Sequence, residues 1–182
     1  MDWYPLYNSL RIAAISCVLV FFAGIFAAYY VARLPRAVKG ILDVTLTLPM
    51  VLPPTVVGYF ILLVFGAKRP LGIFLAQYGI KFVMTWYGGV LAAAVVAFPL
   101  MYRTARGAFE SFDDTLAYSA QTLGLSNTYI FWRIRMPYCR QGILAGTVLA
   151  FARALGEYGA TSMLIGYTPG RTATISTTVY QL

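Results

Sequence analysis

Long uncharged apolar runs, separated by shorter charged segments, form the main pattern of this chain. The first run covers residues 12–32, and a helix of that length, rising about 1.5 Å per residue, crosses the ~30 Å hydrocarbon core of a bilayer. Runs of similar length predict further spans at about residues 44–66, 82–102 and 141–165. Residues 174–182 look like the start of one more helix. The pattern predicts an all-α integral membrane protein, with the whole chain in one polytopic helical bundle.

The amino-acid composition also places the chain in a membrane. Hydrophobic residues make up 60% of it and charged residues only 11%. A soluble domain usually carries about 25% charged residues, so too little polar surface remains to cover a water-facing globule. The net charge of +8 comes from Lys and Arg between the apolar runs. That placement is typical of charges flanking membrane helices and argues against a nucleic-acid partner.

The chain lacks the residues that metal binding or nucleophilic catalysis needs. It has no histidine, and Cys17 and Cys139 lie far apart, so no metal-ligand spacing and no Ser-His or Cys-His pair occurs. There is also no Gly-x-x-x-x-Gly-Lys-Ser/Thr loop for ATP phosphates. The sequence therefore predicts a protein that is not an enzyme, with no catalytic residue, metal or cofactor in this chain.

The distribution of Lys and Arg predicts the orientation in the membrane. The segments after the first and third spans share one side and carry eight basic residues: Arg33, Arg36, Lys39, Arg103, Arg106, Arg133, Arg135 and Arg140. The opposite side carries five, namely Arg11, Lys68, Arg69, Lys81 and Arg171. By the positive-inside rule, the long segment at about 103–140 is cytoplasmic and the N-terminus is outside.

The second span contains a cluster of prolines, Pro49, Pro53 and Pro54, that removes backbone donors and interrupts the helix. In a bilayer, freed carbonyls are tolerated only where protein or a watery cavity satisfies them, and broken helices often line transport paths. One interpretation therefore places Pro53, Pro54, Thr55 and Gly58 on a translocation path. The other is a kinked packing helix in which Gly58 permits close approach.

The fourth span contains two charges, Arg153 and Glu157, on one helical face. A charge near the bilayer centre costs at least about 2.5–3.5 kcal/mol, so both side chains should face protein or water. They either form a buried pair that fixes helix packing or line a path in which Arg153 attracts an anion. The path interpretation also includes Gly159 and Thr161.

The segment at about 103–140 is too polar to span a membrane, but it has helical periodicity. Ser111 is positioned to cap a first helix, which Gly124 would end in a left-handed turn. A second short helix is predicted from about Asn127, with Pro137 stopping it. These helices are expected either to lie on the membrane or to dock into a partner.

The spacing Ser119-Ala120-x-x-x-Gly124, followed by Ile134-x-Met136-Pro137, resembles the EAA signature of ABC importer permeases of type I. The chain departs from that signature at Tyr118, where the family often has Glu, and at Ser119, where it usually has Ala. The resemblance implies coupling helices that fit a cleft on a cytoplasmic ATPase. It assigns ATPase coupling to the following residues: Leu116, Ser119, Ala120, Gly124, Ile134, Met136 and Pro137.

The proline-rich second span and residues 151–161 look like the molybdate, tungstate and sulfate permeases of that family, and residues 169–175 look most like the molybdate branch. This resemblance implies a subunit of the bacterial cytoplasmic membrane that translocates a tetrahedral oxyanion. It also implies three protein partners: a second copy of the chain, an extracytoplasmic oxyanion-binding protein, and an ABC ATPase dimer that binds ATP and Mg. Lipid surrounds the spans.

Two other classes of function are open to the sequence. A membrane-embedded enzyme would need convergent titratable groups, and the spans supply only Arg153 and Glu157. The same pair suits the proton relay of an ion-driven secondary transporter or channel, and the prolines suit a discontinuous helix. Such a transporter normally has more spans and an internal repeat. Copurification with an ATPase would distinguish it from an ABC permease.

Overall fold

The structure is a computed structural model that describes residues 3–181, and the secondary structure in this part of the chain is helical throughout. Eleven α-helices are described between these residues: α1 Tyr4–Ala32, α2 Arg36–Val51, α3 Pro54–Phe65, α4 Pro70–Gln77, α5 Trp86–Glu110, α6 Asp114–Thr122, α7 Asn127–Ile130, α8 Met136–Tyr138, α9 Arg140–Leu155, α10 Gly159–Ile165 and α11 Ile175–Gln181. A π-helical turn, Phe131–Arg135, joins α7 to α8. The prediction of an all-α bundle is confirmed.

The core forms where α5 packs between α1 and α9. Alanines on α1 and α5, such as Ala28, Ala93 and Ala97, are completely buried, which lets the helix backbones approach closely. Ser16 on α1 donates a hydrogen bond to the carbonyl oxygen of Val90 on α5, at 3.0 Å. Small residues and an interhelical hydrogen bond therefore hold these helices together, as expected where lipid removes the hydrophobic drive between helices.

Two helices, α1 and α5, are long and apolar enough to cross a membrane. Helices α2 and α3 qualify only as a pair, because the chain bends by 111° at residues 52–53 between them. The predicted interruption of the second span by proline is therefore confirmed. Helix α2 contains no buried residue, although Pro49 lies within it.

The fourth predicted span, at about 141–165, is not one continuous helix. It divides into α9 and α10 at residues 156–158, and neither helix alone is among the segments long enough to cross a membrane. The sequence pattern missed this break because no proline marks it and the run stays apolar on both sides. That α9 and α10 cross the membrane together stays a prediction.

The end of the described chain packs back onto the start of α1. Asn8 donates to the carbonyl oxygen of Ala173 at 2.9 Å, and the backbone N–H of Ile175 donates to the Ser9 hydroxyl at 2.8 Å. The helix predicted at residues 174–182 is present as α11, while Leu182 lies outside the described residues. These contacts fix one end of the bundle.

Candidate functional site: paired helix breaks and a coupling segment

The first helix break follows from the two adjacent prolines. The backbone N–H of Leu52 makes the last bond of α2, to the Leu48 carbonyl oxygen at 3.1 Å. Pro53 and Pro54 have no N–H to continue the ladder. Pro54 instead opens α3, at the position where a fixed φ favours helix initiation. The prolines thus end one helix and start the next.

The second break is stabilised by Glu157, whose side chain is only 2% exposed. One carboxylate oxygen accepts a hydrogen bond from the backbone N–H of Ala160, at 2.8 Å, in the first turn of α10. The other accepts from the Arg153 guanidinium in the last turn of α9, at 2.5 Å. A carboxylate at this position also complements the positive end of the helix dipole. Glu157 therefore joins the end of α9 to the start of α10.

The two breaks lie side by side because α3 packs directly on α10. A Cβ built on Gly58 would lie 2.8 Å from the Ala160 Cα, and one on Gly159 would lie 2.9 Å from the Pro54 Cβ. The start of α3 thus meets the start of α10, and the helices run in the same direction. Two helix N-termini, each with a partial positive charge, are brought together here.

The structure accordingly brings the residues predicted for the path into one region, here called the paired breaks. Pro54 and Gly58 on α3 contact α10 near Gly159, and Glu157 caps the start of α10. Thr161 is buried on α10, whereas Pro53 and Thr55 are exposed. The Arg153 side chain is 32% exposed. The pair of Arg153 and Glu157 is thus a structural contact, and its role on a path stays a prediction.

The coupling segment, residues 111–139, begins differently from the predicted start. Ser111 ends α5 and donates to the Ala108 carbonyl oxygen at 2.9 Å. The cap of α6 is Asp113, whose carboxylate accepts from the Thr115 backbone N–H at 2.9 Å. Hydrogen bonds from the Thr115 hydroxyl and N–H lower the pKa of Asp113 below its ordinary value. The prediction of a Ser111 cap is wrong, since the Asp113 carboxylate, two residues further on, caps the helix.

Helix α6 turns two different faces to its surroundings. Ala117 and Ala120 are buried, whereas Leu116 and Ser119 are exposed along the opposite stripe. Gly124 follows the helix with φ of +81°, as predicted for a left-handed end. The exposed stripe is available for a partner, while Ala120 faces the protein interior.

Pro137 does not stop the second short helix, contrary to prediction. The chain passes from α7 into the π-helical turn, where the backbone N–H of Met136 bonds the Phe131 carbonyl oxygen five residues back. The wider turn accommodates Pro137 near the start of α8, which continues to Tyr138. Ile134 and Met136 are half-buried and Pro137 is exposed.

Two arginines have structural roles that were not singled out from the sequence. Arg106 on α5 pairs with Asp43 on α2, and Arg135 pairs with Asp114 at the start of α6. In the sequence, these arginines look the same as the exposed Arg103 and Arg133. No local pattern separates them, because their partners are distant in the chain.

Comparison with known proteins identifies the class and then the family. The bundle, its broken helices and the exposed stripe of α6 are features of a membrane transport subunit. The chain belongs to the family of binding-protein-dependent transport system inner membrane components, whose model matches residues 20–182.

Similar proteins are transport permeases. The molybdenum transport system permease protein ModB of Escherichia coli K12 is 42% identical over 100% of this chain and 80% of its own length. ModB of Haemophilus influenzae is 41% identical over 94% of the chain and 76% of its own length. The sulfate permease CysW of Synechococcus elongatus is 34% identical over 92% of the chain and 58% of its own length.

Proposed function

We propose that this chain forms the membrane path of an ATP-driven importer for a tetrahedral oxyanion, with molybdate as the first candidate and tungstate or sulfate as alternatives. The observation that supports this most directly is the paired breaks. The break at Pro53 and Pro54 lies beside the break at residues 156–158, and the Arg153 guanidinium at the second break is partly exposed although it pairs with Glu157. Broken helices often line transport paths, and an accessible guanidinium favours oxyanions. The names of the similar permeases support the choice of molybdate.

The proposal includes the partners that such an importer needs. A cytoplasmic ATPase dimer, binding ATP and Mg, would contact the exposed stripe of α6 at Leu116 and Ser119. An extracytoplasmic oxyanion-binding protein would deliver the anion. A second copy of this chain would complete the path, and the absence of any buried residue on α2 leaves that helix free to face it or lipid. The membrane would be the bacterial cytoplasmic membrane.

Uptake into proteoliposomes tests the function. The chain is reconstituted with its ATPase and binding protein, and molybdate inside the vesicles is measured with and without internal ATP. ATP-dependent uptake supports the proposal. Excess tungstate or sulfate should then reduce molybdate uptake to the extent that the binding protein binds each anion. Uptake driven by a proton gradient without the ATPase would instead identify a secondary transporter, and no ATP-dependent uptake of any of the three anions would contradict the proposal.

Cysteine labelling tests the proposed orientation. Both native thiols are buried, and burial raises the pKa of Cys139, so neither reacts readily with reagents specific for thiolates. A cysteine introduced by Thr122→Cys at the exposed end of α6 gives a defined reporter. An impermeant maleimide should label it in inside-out vesicles and not in intact cells. Labelling in intact cells would place the coupling segment on the wrong face.

A further inference from the structure

Arg135 is a charged residue in a buried position of the coupling segment. The residue is 6% exposed, whereas Arg133, two positions earlier, is exposed. Its guanidinium donates to the Asp114 carboxylate at 2.7 Å. A buried cation is tolerated only where charge and hydrogen bonds compensate for the lost water, so this environment is built around the side chain.

Two aromatic rings complete the environment of Arg135. The guanidinium carbon lies 4.3 Å from the ring centroid of Phe112 and 5.8 Å from that of Tyr29. Both distances fall within the range of a cation–π contact. The Tyr29 ring in turn packs against Phe131 at 4.7 Å and Phe109 at 5.8 Å between centroids. Arg135, which belongs to the segment that leads into α9, therefore contacts the start of α6 and the end of α1.

Helix α6 has few other attachments to the bundle. Its only buried residues are Ala117 and Ala120, both small. A polar cavity of about 780 Å³ lies between α6 and the ends of α1, α2 and α5, lined in part by Lys39, Glu110 and Gln121. A helix with so little apolar contact can move independently unless a specific contact holds it.

We propose that Arg135 is a positioning residue that fixes α6 to α1 and to the helical segment leading through α8 into α9. A displacement of α6 then moves α9, and with it the break at residues 156–158, as one body. This inference rests on the proposed function for its role in transport, but the fixed contact itself does not. Without Arg135, α6 would move relative to the bundle and the displacement would not reach the paired breaks.

The test of coupling compares two arginines two residues apart. Arg135→Met removes the charge and keeps an apolar side chain, and Arg133→Met is the matched control on the exposed side. In proteoliposomes with the ATPase and binding protein, Arg135→Met should lower molybdate transported per ATP hydrolysed by at least about fivefold, within the usual range of coupling energies. Arg133→Met should leave that ratio unchanged, and Arg135→Lys, which can still reach Asp114, should restore most of it.

Equal ratios in the two methionine variants would overturn the inference. If Arg135→Met does not fold, Asp114→Ala replaces it, because the Asp114 side chain is 60% exposed and water from the adjoining polar cavity can take the place of its carboxylate beside Arg135. Asp114→Ala must then lower the transport ratio, and a ratio equal to that of the unmodified chain overturns the inference.

A second measurement does not depend on transport. It therefore distinguishes failure of the inference about Arg135 from failure of the proposed function. Spin labels on Thr122→Cys in α6 and Phe26→Cys in α1, both at exposed positions, report the distance between the helices in the isolated chain. Arg135→Met should broaden the distance distribution, and Arg133→Met should not. An unchanged, narrow distribution in both variants contradicts the inference even if the unmodified chain transports molybdate.

Discussion

Helices α1 and α5, here called the scaffold, differ in what holds them in place from α2, the first helix of the broken region α2, α3 and α10. The scaffold is joined by buried alanines and the Ser16 hydrogen bond. Helix α2 buries no residue and is attached to α5 by ion pairs, Arg106 with Asp43 and Lys39 with Glu110. Close packing permits few arrangements, whereas partly exposed ion pairs exchange at low cost. The difference indicates that α2 moves against the scaffold more readily than α1 moves against α5.

The largest effect is expected at the break between α9 and α10, where Glu157 is a buried charge. Arg153→Met leaves the Glu157 carboxylate buried with only the Ala160 N–H as partner, which should lower the free energy of unfolding by about 2 kcal/mol. The partial exposure of Arg153 keeps this below the cost of a fully buried pair. Thermal unfolding of the purified protein in detergent measures it.

A double variant supplies the control for this prediction. Arg153→Met with Glu157→Gln removes both charges and keeps an oxygen that can accept from Ala160, so most of the stability should return. A single variant as stable as the unmodified protein would show that Glu157 does not depend on Arg153.

The next effect concerns the contact between α3 and α10. Gly58→Ala places a Cβ 2.8 Å from the Ala160 Cα, a backbone atom that cannot move without moving α10. We expect a loss of stability of about 1–2 kcal/mol and a reduction in uptake of about tenfold. Gly107→Ala on α5 is the matched control, because open space surrounds its added Cβ. Equal uptake in the two variants would show that the α3–α10 contact is not needed for transport.

A smaller effect is expected at the ion pairs between α2 and α5. Arg106→Gln should lower the free energy of unfolding by about 1 kcal/mol, because the pair with Asp43 is partly exposed and α2 packs on the core only through half-buried side chains such as Leu42 and Leu46. If these pairs hold α2 in its resting position, the Arg106→Gln complex should hydrolyse ATP faster than the unmodified complex when no binding protein is present. Arg103→Gln, at an exposed position, is the control. Unchanged basal hydrolysis in Arg106→Gln would argue that α2 is not restrained there.

The smallest effect is a pH dependence at the cap of α6. Because the folded pKa of Asp113 is lowered, its stabilisation of α6 is present above the ordinary Asp pKa of about 4 and is lost as pH falls through the lower, folded pKa. Protection from amide exchange in the first turn of α6, measured relative to the intrinsic exchange rate at each pH, should fall in acid, and Asp113→Asn, which caps without titrating, should abolish that change. An identical pH response in both proteins would exclude the cap as its source.

The sequence was most informative where one residue type dictates the backbone. Adjacent prolines at Pro53 and Pro54 forced a break that could be predicted, and Gly124 adopted the expected left-handed turn. The break at residues 156–158 was missed, because the glycines at its two ends, Gly156 and Gly159, also fit close helix packing, and the break depends on the Glu157 carboxylate finding the N–H of Ala160. The role of Arg135 was missed for a similar reason, since Asp114 and Tyr29 are brought to it only by the fold.

The central claim is that α2 moves against the scaffold during the ATP cycle while α1 and α5 keep their mutual distance. Spin labels at Gly40→Cys and Gly107→Cys report the distance from α2 to α5, and labels at Tyr30→Cys and Gly107→Cys report that from α1 to α5, all at exposed positions. In the full complex, adding ATP should shift the first distance and leave the second unchanged. Two unchanged distances, or two that shift together, would contradict the claim.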